Sequence, residues 1–183
     1  MSGEFFETIA YHTTEKDRAA SILKDKFFKE STKDNEWLGH GIYFWDSLED
    51  AVWWKNHVKN AGKDDTVIIK VKLKCKYSEY RDLSIKKNMQ EYEKECMEVI
   101  INNKLKLIKT SDDKLRNFYC NYYKKKLGIK LLSYDFRIRN KFNEFGFEKY
   151  SIQYCLGENF QSEILEIRGV IENVWWKVIF RNC

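Results

Sequence analysis

The stretch LGHGIYFWDSLEDAVWWK, residues 38–55, sets a histidine between two glycines, follows it with Tyr43, Phe44 and Trp45, and closes on paired Trp53 and Trp54. Aromatic faces at this density suit a pocket for a flat ligand, because ring faces stack on ring faces. They equally suit a core strand followed by a packing helix, and Tyr43 as a half-core residue or one of the two helical tryptophans as a packing residue is an ordinary outcome. His12 and Thr13, in YHTT (11–14), are the second set. A single histidine at a strand end is commonly structural. Here it falls where a strand hands over to a helix, a corner that presents side chains and backbone amides beside a helix N-terminus, able to receive an anion or an amide.

The elements that must hold these residues follow from pattern. EFFETIAYH (4–12) reads as a strand, and TTEKDRAASILKDKF (13–27) as a helix, with Thr14 and Asp17 at capping-box spacing and Ala20, Ile22 and Leu23 on its apolar face. ESTKDNEWLGHG (30–41) is a polar, glycine-punctuated loop into the strand IYFW (42–45). Ser47 and Asp50 repeat the capping-box spacing at the start of a second helix. TVIIKVKLK (66–74) alternates as a half-buried strand from Ile68. The segment from about 77 to 148 differs in kind. SIKKNMQEYEKECMEVIINNKLKLIK and SDDKLRNFYCNYYKKKLG carry mixed charges at helical spacing and read as helices of an insertion. Strands return in YSIQYCL (150–156), EILEIRGVI (163–171) and NVWWKVIF (173–180). The expectation is one mixed α+β domain over 1–183, with strands from both ends of the chain and a helical basic insertion at about 77–148.

The bulk properties narrow the class. With 183 residues, 43% of them hydrophobic and 33% charged, the chain can bury a substantial core, and it contains no proline. Its five cysteines, Cys75, Cys96, Cys120, Cys155 and Cys183, show neither CxxC nor Cys/His spacing, which argues for reduced core thiols and against a metal site. No run approaches the roughly 18–20 apolar residues of a membrane span, and the N-terminus has no basic region leading into an apolar one. A cytoplasmic protein with no membrane partner is expected. From Lys76 to Tyr150 there are 18 basic and 11 acidic residues, so this segment carries +7 while the remainder carries about −2. That asymmetry points to an anionic partner for the middle segment, or to a lysine-rich solvated face. KLKLIK, NYYKKKLG and DFRIRNKF place Lys and Arg beside Tyr and Phe, a combination that suits unpaired nucleic acid and also describes amphipathic helices with their aromatics turned inward.

YHTT, a helix ending in KDKFF, LGHGIYFW and an aromatic-bearing helix, in that order, resemble the opening of mono-ADP-ribosyltransferases of the diphtheria-toxin-like and poly(ADP-ribose)-polymerase-like kind. The resemblance is close over residues 10 to about 74, loose over 150–180, and absent from the middle segment. It implies a split antiparallel β-sheet core with short helices, NAD as co-substrate, no metal, and transfer of ADP-ribose to a protein or nucleic-acid acceptor, as in a bacterial toxin, effector or defence enzyme. It gives His12 to the adenosine-side ribose, the Thr13 backbone to the nicotinamide carboxamide, and Tyr43 to stacking on nicotinamide. Trp54, eleven residues on, becomes the second wall. Such a site must stabilise an oxocarbenium-like transition state as neutral nicotinamide departs.

Two positions depart from the family pattern. Thr13 replaces the usual glycine after the histidine, and a β-branched residue there restricts φ beside the amide. The late-strand motif glutamate is replaced in SIQYC by Gln153, which can hydrogen-bond a ribose hydroxyl but carries no charge and takes up no proton. Glu158 and Glu163 are the reserve carboxylates, Glu163 because it opens the next expected strand. A catalytically silent binder of NAD, ADP-ribose or nucleic acid with the same fold is the alternative reading.

Overall fold

The computed structural model describes residues 4–59, 65–102, 111–142, 146 and 148–171. It is a mixed α+β structure built on one seven-stranded sheet in the order β4-β5-β6-β2-β1-β3-β7. β1 (Phe5–Glu15) pairs antiparallel along its whole length with β3 (Thr66–Lys76). The expected helix start at Thr14 is displaced by this pairing. Thr14 and Glu15 continue the ladder opposite Val67 and Thr66, and α1 (Lys16–Asp25) begins only after it, with Glu15 as an N-cap that makes no side-chain cap bond. β2 (Ile42–Trp45) has the expected bounds. α2 (Leu48–Trp54) is capped as its sequence indicates: the Asp50 N–H donates to Ser47 Oγ at 3.0 Å, and the Ser47 hydroxyl donates to Asp50 Oδ2 at 2.8 Å.

The middle segment divides. α3 (Lys86–Asn102) and α4 (Asp112–Leu127) are helices as expected, but β4 (Tyr80–Asp82) and β5 (Leu131–Phe142) are strands, so DFRIRNKF belongs to the sheet. β4 and β5 are parallel, the one departure from antiparallel pairing among the described strands. Parallel neighbours need a crossover connection, and α3 and α4 lie within it. Arg81 Nε in the middle of β4 and the Tyr123 hydroxyl of α4 both donate to Glu91 Oε2 of α3, at 2.9 and 2.7 Å, tying the three elements together. β6 (Glu148–Leu156) pairs with both β5 and β2. Glu163 and Ile164, read from sequence as opening a strand, instead end the short helix α5 (Gln161–Ile164), and β7 (Leu165–Ile171) follows it to pair with β3. The expected strand over 173–180 lies outside the described residues.

Alternation puts two different cores on the two sides of the sheet. One side buries Ala10, Phe28, Ile42, Phe44, Ile69, Leu73 and Leu156. The other buries Leu38, Leu83, Cys120, Tyr123, Leu132 and Cys155 beneath the crossover helices, and Ala51, Val52 and Ile68 at α2. Cys75, Cys96, Cys120 and Cys155 are free and buried. No helix among the described residues is long and apolar enough to cross a membrane.

Candidate functional site

The glycines before β2 are required by close approach. Gly39 has φ +82°, where a side chain is strained, and a Cβ there would collide with Asn121 Oδ1. A Cβ on Gly41 would lie 2.6 Å from Cys155 Sγ and 2.7 Å from the Leu156 carbonyl. The turn is bolted to α4: the His40 N–H donates to Asn121 Oδ1 at 2.7 Å, and the buried Lys124 ammonium donates to the His40 carbonyl at 2.5 Å and to Cys155 Sγ at 3.4 Å. Tyr43 closes the turn from the other side. Its hydroxyl accepts from the Leu38 N–H at 2.9 Å and donates to the Gly39 carbonyl at 2.6 Å. Burial, reinforced by neighbouring Cys155, raises its pKa far above the usual phenol value, so it stays a donor. The basic crossover is therefore, at α4, a structural support of the site.

Residues opposite one another in a ladder share a face, and their Cβ atoms stand about 4.5–5.5 Å apart. Tyr11 lies opposite Trp45, Trp45 opposite Gln153, and Gln153 opposite Tyr134. A row of four half-buried side chains thus crosses β1, β2, β6 and β5, with one carboxamide among three rings. Trp54 of α2 extends it, its ring 5.4 Å from Trp45 at 48°, whereas Trp53 turns away to stack on His57 at 4.9 Å. At the other end Phe136 lies 4.9 Å from Tyr134, and Trp37 lies 4.3 Å from Phe136. Ser151, two residues before Gln153 and on the same face, is 5% exposed, and its Oγ is buried with no hydrogen-bond partner among the described residues. A buried hydroxyl with nothing to bond is the kind of group a ligand satisfies.

Of the residues singled out from the sequence, Tyr43, Trp54, Thr13 and Gln153 come to this one side of the sheet. Thr13 is buried under α2, its hydroxyl donating to the Ala51 carbonyl at 3.0 Å. His12 points to the opposite side, edge-on to Phe28 at 5.2 Å, and its Nδ1 lies 2.8 Å from the Tyr43 carbonyl. Glu163 opens no strand. It sits in α5, its carboxylate paired at 2.7 Å with Lys130, which also holds Glu79 at 2.9 Å. Glu158 lies in a short 3-10 turn, and its side chain is outside the described residues.

Sequence reasoning gave no role to Tyr11, Tyr134, Trp37 or Ser151, and met Trp45 and Phe136 only within the GIYFW and DFRIRNKF runs. The period-two spacing of Ser151 and Gln153 was a usable signal; the cross-strand row was not, since its members are brought together only by register. Beside it, Asp46 caps the end of β2 with its N–H on the Ile152 carbonyl at 3.1 Å. Burial and then the nearby Asp50 raise its pKa, and its Oδ1 is buried without a partner among the described residues. Among the described residues, no group of three or more His, Cys, Asp or Glu side chains is placed to hold a metal ion.

No protein-family model matches the chain. It is similar to an uncharacterized protein of Methanocaldococcus jannaschii, with 35% identity over 77 residues, a stretch that is 40% of this chain and 36% of that protein. The chain thus spans about a third of the length of the curated relative it matches.

Proposed function

We propose that the chain is an NAD-dependent mono-ADP-ribosyltransferase whose reaction takes place over the cross-strand row, with Gln153 at its centre. The observation that carries this reading is the position of the Gln153 carboxamide, with Trp45 and Trp54 on one side and Tyr134 on the other. The nicotinamide of NAD is flat and positively charged, and an indole pair receives such a ring by stacking and cation–π attraction. A carboxamide beside it can hold the adjoining ribose hydroxyls. The unpartnered Ser151 hydroxyl is a second contact for the same sugar or its phosphates. The sequence resemblance supports the assignment, as does the narrow junction between β1 and β2, where only Tyr11 and Trp45 are in register. That junction supports the split sheet that the resemblance implies. Tyr43 then serves as the anchored floor beside Cys155, with Trp45, the next residue on that face, as the open wall.

Gln153 favours one second reading. An amide supplies no charge to an oxocarbenium, so a silent NAD or ADP-ribose binder uses the same slot without turnover. Nicotinamide release by the purified chain decides between them. Release by the wild type is expected, falling about five- to tenfold in Gln153→Ala for loss of a neutral hydrogen bond. Gln153→Glu is expected to raise it by about 30-fold or more, equivalent to about 2 kcal/mol of charge stabilisation. Quenching of tryptophan fluorescence by NAD without release marks the silent binder. Neither release nor quenching would overturn both.

A further inference from the structure

We infer that the far end of the row, formed by Tyr134, Phe136 and Trp37, is a ledge for an unpaired nucleobase, and that a base ring nitrogen is the acceptor; this rests on the transferase reading. Tyr134 stands directly across from Gln153, Phe136 follows two residues later on the same face, and Trp37 ends the run with 48% of its surface exposed. A half-exposed indole is worth noting because of how firmly it is held. The Arg116 Nε–H donates to the Trp37 carbonyl at 3.2 Å, and its guanidinium lies 5.4 Å from the indole ring. Asn117 Nδ2 donates to the carbonyls of Lys33 and Glu36 at 3.0 and 3.2 Å, pinning the preceding loop to α4. The ring is presented by a fixed support, which lowers the cost of ordering on binding.

Two features favour a nucleobase over a hydroxyl, ammonium or guanidinium side chain. The first is shape and charge: a run of rings with a guanidinium at its end, of which Tyr134, Phe136 and Arg116 lie in the segment from Lys76 to Tyr150 with 18 basic and 11 acidic residues, suits stacked bases with a phosphate alongside. Arg116 also pairs with Asp113 at 2.6 Å, a contact that orients it at the helix surface. The second is the chemistry of Gln153. A hydroxyl, ammonium or guanidinium must give up a proton to attack, and an amide cannot take it. A pyridine-type ring nitrogen already holds its lone pair. That pair forms the new bond to the ribose anomeric carbon while the bond to nicotinamide breaks, its electrons leaving with nicotinamide. The positive charge passes from the nicotinamide ring to the base, so no proton has to reach the protein in this step. A base stacked within a duplex cannot lie on the ledge, so the acceptor is single-stranded or looped.

The test uses fluorescein-labelled 12-nucleotide single-stranded DNA and RNA of mixed sequence, with their duplexes, in anisotropy titrations at low salt. Single strands are expected to bind more tightly than duplexes. Trp37→Ala is expected to weaken that binding by about fivefold or more, and Trp37→Tyr, which keeps a stacking face, to restore most of it. With NAD added, the mass of the oligonucleotide should rise by one ADP-ribose as nicotinamide is released. Trp37-dependent binding with no release supports the ledge and overturns the transferase reading. Unchanged affinity in Trp37→Ala, equal affinity for duplexes, or ADP-ribose appearing on lysate protein and not on the oligonucleotide would overturn the ledge.

Discussion

Tyr43→Phe separates the ring, to which the sequence gives stacking or core packing, from the hydroxyl, which the structure ties to the 38–41 turn, because it keeps the ring and deletes only the hydroxyl. That hydroxyl answers two backbone groups, the Leu38 N–H at 2.9 Å and the Gly39 carbonyl at 2.6 Å. Leaving the Leu38 N–H unpaired costs about 1–3 kcal/mol, and losing the donor to Gly39 about 0.5–1.5 more. The turn has little room to compensate, since Gly39 sits at φ +82° against Asn121. The expected loss is therefore about 2–4 kcal/mol. Equilibrium unfolding in urea, followed by far-UV circular dichroism, should show the midpoint fall at unchanged slope, by about 1–2 M if the slope is about 2 kcal/mol/M. A loss below about 0.5 kcal/mol would refute the claim that this hydroxyl holds the 38–41 turn. Tyr43→Ala also opens a cavity beside Leu132 and Cys155 and is expected to cost about 3–5 kcal/mol. Phe is accordingly the control that leaves an NAD-binding measurement interpretable.

Lys26 ends α1 in the left-handed region, at φ 56°, with its N–H on the Ile22 carbonyl at 2.8 Å. Lys26→Gly should raise stability by about 0.5–1 kcal/mol, seen as a higher Tm, and a lower Tm would contradict it. Lys72 and Lys74, at 2.7 and 2.5 Å, hold the Glu7 carboxyl down from 4.5 to about 2. Its folded value lies below the unfolded one, so its contribution is full above about pH 4.5 and is lost as pH falls toward 2. Wild type and Glu7→Gln should therefore differ in Tm at pH 6 and converge toward pH 2, with the gap shrinking in 1 M salt; parallel Tm profiles would contradict this.

Local pattern carried those elements whose partners add nothing contrary. β2 and the Ser47 cap are legible because glycine spacing, aromatic run and capping residues agree. The start of α1 was misplaced because Thr14 has a better use opposite Val67 than as a cap. The strand β5 was hidden by its own charges: Asp135, Phe136, Arg137 alternate as a strand does, but so much basic residue content in one segment reads as helix surface. Of the residues singled out by motif, Gln153 and Tyr43 lie on the same side of the sheet as the cross-strand row. Trp45 and Tyr134, which flank Gln153, carry no such motif, because the chain separates them from it by 108 residues in one case and 19 in the other. His12 was singled out by the same motif, but which side of the sheet its ring takes is a matter of phase within β1 that the motif does not state.

The junction between β1 and β2 has a mechanical consequence. Every other described junction in the sheet is tied by three or more registered pairs, and this one by Tyr11 and Trp45 alone. Twisting of the sheet concentrates at the weakest joint, and this joint runs beneath the row. Trp45 moves with β2 and Tyr11 with β1, so the row bends along the line between them. Under the proposed function, a broader or narrower ligand is met by a small rotation about that line, with no strand unzipped. The polar ties across it are one backbone pair, the His12 imidazole against the Tyr43 carbonyl, and the Thr13 hydroxyl on α2, beside the packing of Ala10 against Ile42 and Phe44. His12 and Thr13, which the sequence suggests as ligand contacts at the end of β1, stand in the structure as ties that set the spacing of β1 from β2 and α2.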